Sequence, residues 1–291
     1  MGSPTFGGSR QADAADGGHL TSFAGIDAGE GPSVLLLHGQ PGSAASWSPV
    51  VPLLTDRFRV LVPDRPGYGA TVGSAQGVEE NAAVLAAMLE ERANGPTTVA
   101  AHSWAGGAAV LLATQRPDLV AALVLIGAAC TSDSLDGTDR VLALPVLGHA
   151  AAALGLVVLG EVLPRVRRMA GFVPASRRER FLAALPDQGV LGGQWGTFAR
   201  QRRSFVIEQR ALVAEMPQVA ESLPGLQVPV AVVMGEWDLV VSPASSVTLA
   251  AAVPGSELIS LPEAGHFAIR DEPVTIAEVI ARYADQPASL G

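Results

Sequence analysis

The stretch TTVAAHSWAGGAAVLLATQR, residues 97–116, changes character in its middle. Its opening residues form a short apolar run of the kind that becomes a strand buried on both faces, and its last nine carry helical patterning. The polar pair His102-Ser103 falls at the corner between them, flanked by the small residues Ala101, Ala105, Gly106 and Gly107. A serine at such a corner has two readings. It is either a turn residue capping the helix, or a nucleophile projected from a tight strand-to-helix turn whose helix N-terminus favours developing negative charge.

Similar apolar runs recur with turn residues at their ends: SVLLLHG at 33–39, RVLVPD at 59–64, LVAALVLIG at 119–127, VPVAVVMG at 228–235 and SELISLP at 256–262. Helical patterns such as VEENAAVLAAMLEERA at 78–93 and PVTIAEVIARYA at 273–284 alternate with them. This order predicts an α/β protein, a mostly parallel sheet covered by helices on both faces. The earlier runs are about 25–40 residues apart, room for a crossover helix, whereas about 100 residues separate Gly127 from the next run. Residues 131–223 are therefore expected to be an inserted helical cap, with Pro145, Pro164, Pro174, Pro186 and Pro217 breaking it into pieces. Residues 19–130 and 224–287 make the core. Residues 1–18, without the apolar stretch of a signal peptide, are expected to be a flexible tail.

Composition narrows the function. The chain has 291 residues, 48% of them hydrophobic, enough for a large core. Its net charge of -9 argues against nucleic acid as a partner, since phosphates must be met by clustered positive charge. All 19 basic residues are arginine, and ten of them fall in 161–210 against only Glu161, Glu179, Asp187 and Glu208, which makes that segment locally basic. The single cysteine, Cys130, excludes an internal disulfide and a cysteine-based zinc site, and a reducing cytoplasm is the expected location. Residues 141–160 carry no charge, but Pro145, His149 and three glycines favour a buried or pocket-covering helix pair over a membrane span.

Four short motifs end at strand carboxyl termini, the edge where open parallel sheets bind ligands: HGQPG at 38–42, AHSWA at 101–105, GEWDLVVSP at 235–243 and LPEAGHFA at 261–268. With a serine at the elbow and an acid and a histidine following in that order, the chain resembles the serine branch of the α/β-hydrolase fold family over about residues 19–287. It departs from the family's G-x-S-x-G at both glycine places, which are Ala101 and Ala105. The serine also separates it from the haloalkane dehalogenases and epoxide hydrolases, which place Asp at the elbow. DRPGYG at 64–69 is similar to a family loop that is mostly structural.

The resemblance implies Ser103 as nucleophile, His266 as general base and Asp238 as the acid that orients the base, with Asp133 as the alternative acid. Elimination among the five histidines agrees. His19 is near the start, His38 belongs to the turn, His149 is in the cap, and strand alternation points His102 away from Ser103. The main-chain N–H groups of Gln40 and Trp104 would form the oxyanion hole. The implied activity needs no metal or cofactor. It is hydrolysis of an ester, thioester or lactone of a largely apolar small molecule through an acyl-enzyme. A carbon-carbon bond hydrolase or cofactor-free perhydrolase would use the same residues, and a slow-turnover ligand receptor would keep them too.

Overall fold

Side-chain alternation along a seven-stranded sheet explains why most of its strands appear as unbroken apolar runs. The structure, a computed structural model, describes residues 23–158, 162–173, 177–178, 181–182 and 195–286. The strands are β1 (Gly25–Ala28), β2 (Ser33–Leu37), β3 (Arg59–Pro63), β4 (Thr97–His102), β5 (Val120–Ile126), β6 (Val230–Trp237) and β7 (Glu257–Gly265), in the spatial order β1-β3-β2-β4-β5-β6-β7. β1 runs antiparallel to β3, and every other neighbouring pair is parallel.

Along the central strands Leu35, Leu37, Val99, Ala101, Leu123 and Leu125 face one core, and Leu36, Ala100, Val124 and Ile126 face the other. With both faces covered, most positions on these strands are apolar, and the polar ones on β4, Thr97, Thr98 and His102, are themselves buried. β7 departs from this. It lies at the sheet edge, and Glu257, Leu258 and Ser260 are exposed.

The helices are α1 (Val51–Leu54), α2 (Val78–Arg92), α3 (Ala105–Gln115), α4 (Gly137–Leu142), α5 (Leu147–Val157), α6 (Leu163–Arg168), α7 (Trp195–Ser222), α8 (Pro243–Ala252), α9 (Ala268–Asp271) and α10 (Pro273–Ala284). α2 and α3 pack on the first core, while α1 and α10 pack on the second, α10 through Ile276, Ala277, Val279, Ile280 and Tyr283. Helices α4 to α7 fill the long interval between β5 and β6.

Pro217 corrects one expectation, because it lies inside α7 and not at a break. Its missing N–H removes a helical hydrogen bond at a cost of about 3 kcal/mol. Burial of Leu212, Met216 and Val219 against the first core keeps the helix continuous past it. Pro164 sits in the first turn of α6, where proline fits, and Pro145 falls between α4 and α5. Pro174, Pro186, His19 and the tail 1–18 lie outside the described residues. Among the described residues no helix is long and apolar enough to cross a membrane.

Candidate active site

Ser103 stands between β4 and α3 with φ of 56°, the only non-glycine residue in the left-handed region among those described. That conformation costs about 1–2 kcal/mol for an L-residue. Its neighbours hold it there. The Ser103 N–H donates to Ile126 O at 3.0 Å, and its carbonyl accepts from the N–H groups of Gly106 and Ala129 at 3.0 and 3.2 Å. Space at the elbow is short at Gly106, where an added methyl would lie 2.5 Å from Ala128 Cβ and 2.9 Å from Cys130 Sγ. Ala105, by contrast, has room for its methyl in the core, so the glycine of the family pattern is needed one position later.

His266 follows β7, and Asp238 follows β6. The His266 ring is 3.1 Å from Ser103 Oγ through Nε2 and 2.8 Å from Asp238 Oδ2 through Nδ1. An ionised carboxylate only accepts, so Nδ1 carries the proton and Nε2 is left as the acceptor for the serine hydroxyl. Asp238 Oδ1 accepts from the N–H groups of Val240 and Val241, each at 2.8 Å, which fixes the carboxylate before it meets the histidine. All three side chains are buried. A hydroxyl, a general base and its orienting acid are thus aligned for proton removal from Ser103.

The loop after β2 passes directly over the elbow: an added methyl at Gly39 would lie 2.9 Å from Ser103 Cβ. Arg65 anchors this loop from below. Its Nε donates to His38 O at 2.9 Å and its Nη2 to Gly39 O at 3.0 Å. His38 Nε2 accepts from the Arg65 N–H at 3.0 Å, which leaves Nδ1 to donate to Gly39 O at 2.9 Å. Burial and the Arg65 charge hold His38 well below its ordinary pKa, so it is neutral. Arg65 also forms a fully buried ion pair with Glu208 of α7, and Tyr68 donates to the same carboxylate at 2.8 Å. Burial pushes the Glu208 carboxyl above its ordinary pKa against the pull of Arg65. The Arg65 guanidinium lies over the Trp104 ring, 4.5 Å from its centroid.

A family model described as the alpha/beta hydrolase family matches residues 34–279. The chain is an alpha/beta hydrolase. It is 28% identical to an uncharacterized protein of Mycobacterium tuberculosis over 277 residues, 89% of this chain and 76% of that one. To a haloalkane dehalogenase of the same organism it is 24% identical over 270 residues, 88% of each chain. A solved thermophilic esterase from Thermogutta terrifontis matches with a TM-score of 0.65 and 22% identity, covering 89% of this chain and 91% of that one, a likeness of fold.

Within this hydrolase the sequence-predicted residues Ser103, Asp238 and His266 come together, with Trp104 and the Gln40 loop beside them. Asp133 does not join them. It is exposed, and its carboxylate accepts from Thr248 Oγ1 at 2.7 Å, tying the segment after β5 to α8. His102 needs correction. Alternation does put it on the Ala100 face, but Ala264, Ala268 and Ile269 around His266 pack on that same face. Its Nε2 therefore donates to His266 O at 2.8 Å, with the two rings 4.8 Å apart. Burial, then the neighbouring His266, lowers the His102 pKa to about 3. The DRPGYG loop is likewise more than a turn, since Arg65 and Tyr68 are buried against α7. An arginine between Asp64 and Pro66 in an apolar setting was the available signal. Cys130, the lone cysteine, is buried under the start of α3.

Proposed function

We propose that the chain is a serine hydrolase acting on an ester, thioester or lactone. The observation that carries this reading is the left-handed Ser103 with His266 Nε2 at 3.1 Å and Asp238 behind it at 2.8 Å. Ser103 Oγ attacks the substrate carbonyl carbon as His266 Nε2 takes its proton, and the carbonyl electron pair moves onto oxygen. The Gln40 and Trp104 N–H groups and the start of α3 stabilise that oxyanion. Collapse expels the alcohol or thiol, protonated by His266, and leaves an acyl-Ser103 that water then hydrolyses.

The likeness to a haloalkane dehalogenase does not extend to its activity. Displacing halide with a carboxylate gives an ester that water can cleave, whereas displacing it with Ser103 would give an inert ether. Helices α4 to α7 serve in this reading as the cap. α7 lies across the loops of the carboxyl edge, bonding through Ser204 to Gly67 O at 2.8 Å, and Arg210 ties it to Ala143 O at 3.1 Å beside α5. α5 is largely apolar, and as part of the cap it would favour a substrate with a sizeable apolar portion.

A fluorophosphonate probe tests the assignment. It should label the wild-type protein at Ser103 alone, and Ser103→Ala should abolish both labelling and turnover of 4-nitrophenyl esters, on the order of 10⁵-fold or more in kcat. Labelling that persists in Ser103→Ala would remove the serine from its role.

A further inference from the structure

We propose that Glu208 on α7 is a positioning residue for the oxyanion hole, so that the helical insertion sets the orientation of both oxyanion donors. The proposal rests on the reading of Gln40 and Trp104 as those donors. In a planar trans peptide the N–H points opposite to the C=O. The Gly39 carbonyl is held by Arg65 Nη2 at 3.0 Å and His38 Nδ1 at 2.9 Å, and the other end of the same peptide is the Gln40 N–H. Fixing that carbonyl therefore fixes the direction of the donor.

Arg65 in turn is held by Glu208. Its guanidinium is fully buried, the Glu208 carboxylate is its charge partner there, and Tyr68 donates to the carboxylate oxygen that Nη2 approaches at 3.4 Å. The second donor is tied to the same residue, since Trp104 Nε1 donates to the Glu208 carbonyl at 3.1 Å. A third tie reaches the loop from one turn earlier on α7, where the Gln40 side chain donates to Phe205 O at 2.6 Å. Side chain and main chain of Glu208 thus meet the two separate segments that supply the N–H groups. A short length of helix, 205–208, spans the hole.

An oxygen-to-sulfur exchange in the substrate reads this directly. Sulfur accepts hydrogen bonds weakly, so a thionoester draws little help from oriented N–H donors, while an oxoester depends on them. With 4-nitrophenyl butyrate and the matching thionobutyrate as probes, Glu208→Gln should lower kcat for the oxoester about 10²-fold at nearly unchanged KM, and lower thionoester turnover less than about threefold. Loss of folding or of the triad would depress both substrates alike. Trp104→Phe keeps the Arg65–Glu208 pair, removes the indole bond to the Glu208 carbonyl and leaves a smaller ring under the Arg65 guanidinium. It should shift the ratio in the same direction by a smaller factor, and it decides the matter if Glu208→Gln fails to fold.

An oxoester-to-thionoester ratio equal to wild type in a folded variant overturns the positioning role. Failure of the serine-hydrolase reading looks different: oxoester turnover in the wild type would then survive Ser103→Ala.

Discussion

The parallel sheet and the helices inserted between β5 and β6 are built from similar apolar residues, yet they hold them differently. All six residues of β4 are buried, whereas in α5 Leu147 and Leu154 are 61% and 67% exposed and only Gly148, Ala152 and Leu156 are buried. The insertion reaches the core through α7, whose Ser204, Glu208 and Gln209 are buried polar residues with hydrogen-bond partners. Ser103 stands at the end of a strand buried on both faces, whereas the insertion combines apolar contacts of α7 with a few directional bonds. Substitutions in the two regions should therefore be felt in different measurements.

The largest contrast lies between the two acids that follow neighbouring strands, Asp238 after β6 and Asp133 after β5. Asp238→Asn presents an amide to His266 Nδ1 and favours the wrong tautomer, so ester turnover should fall about 10⁴-fold. Asp133→Asn keeps an amide oxygen to accept the exposed bond from Thr248, and kcat should stay within about threefold of wild type. A steep loss in Asp133→Asn with Asp238→Asn intact would reverse the assignment.

Stability should separate the regions next. Leu125→Ala opens a cavity in a fully buried strand and should cost about 2–5 kcal/mol in urea unfolding, while Leu154→Ala should cost under about 0.5 kcal/mol. Equal costs would mean that α5 is packed as tightly as the sheet.

The smallest effect concerns pH. His102 is neutral in the fold with a pKa near 3, and the unfolded chain binds its proton near 6.5. The folded value is the lower one, so this contribution is fully present above about 6.5 and is lost as pH falls toward 3. Between pH 6.5 and 5 the wild type should lose about 2 kcal/mol through this group, a loss that His102→Gln should not show. Identical acid limbs for the two proteins in urea titrations would contradict a neutral, buried His102.

Apolar runs and turn residues were enough to foresee the α/β class and six of the seven strands, because burial on both faces leaves local traces, whereas Ser103, Asp238 and His266 were named from the resemblance to the α/β-hydrolase family. β1 was missed because its alternation, Ile26 and Ala28 half-buried between exposed Gly25 and Asp27, runs for only four residues. Pro217 was misjudged because local propensity yields to the burial of its neighbours. The partnership of Arg65 with Glu208 joins positions 143 residues apart, and nothing adjacent to either announces the other. His102 shows the limit of alternation, which gives the face of a strand and not what the rest of the chain brings to that face.

Cys130 gives the elbow a clock. It is the only cysteine in the chain, fully buried with its sulfur under Gly106, and burial pushes its thiol pKa up. Only a thiolate that a reagent can reach will react. Alkylation of the native protein must therefore wait for the segment under α3 to come apart, and the rate at which a bulky thiol reagent disappears into the protein measures how often the nucleophile's own support opens. A ligand that closes the site should slow that clock in proportion to how firmly it holds the elbow shut.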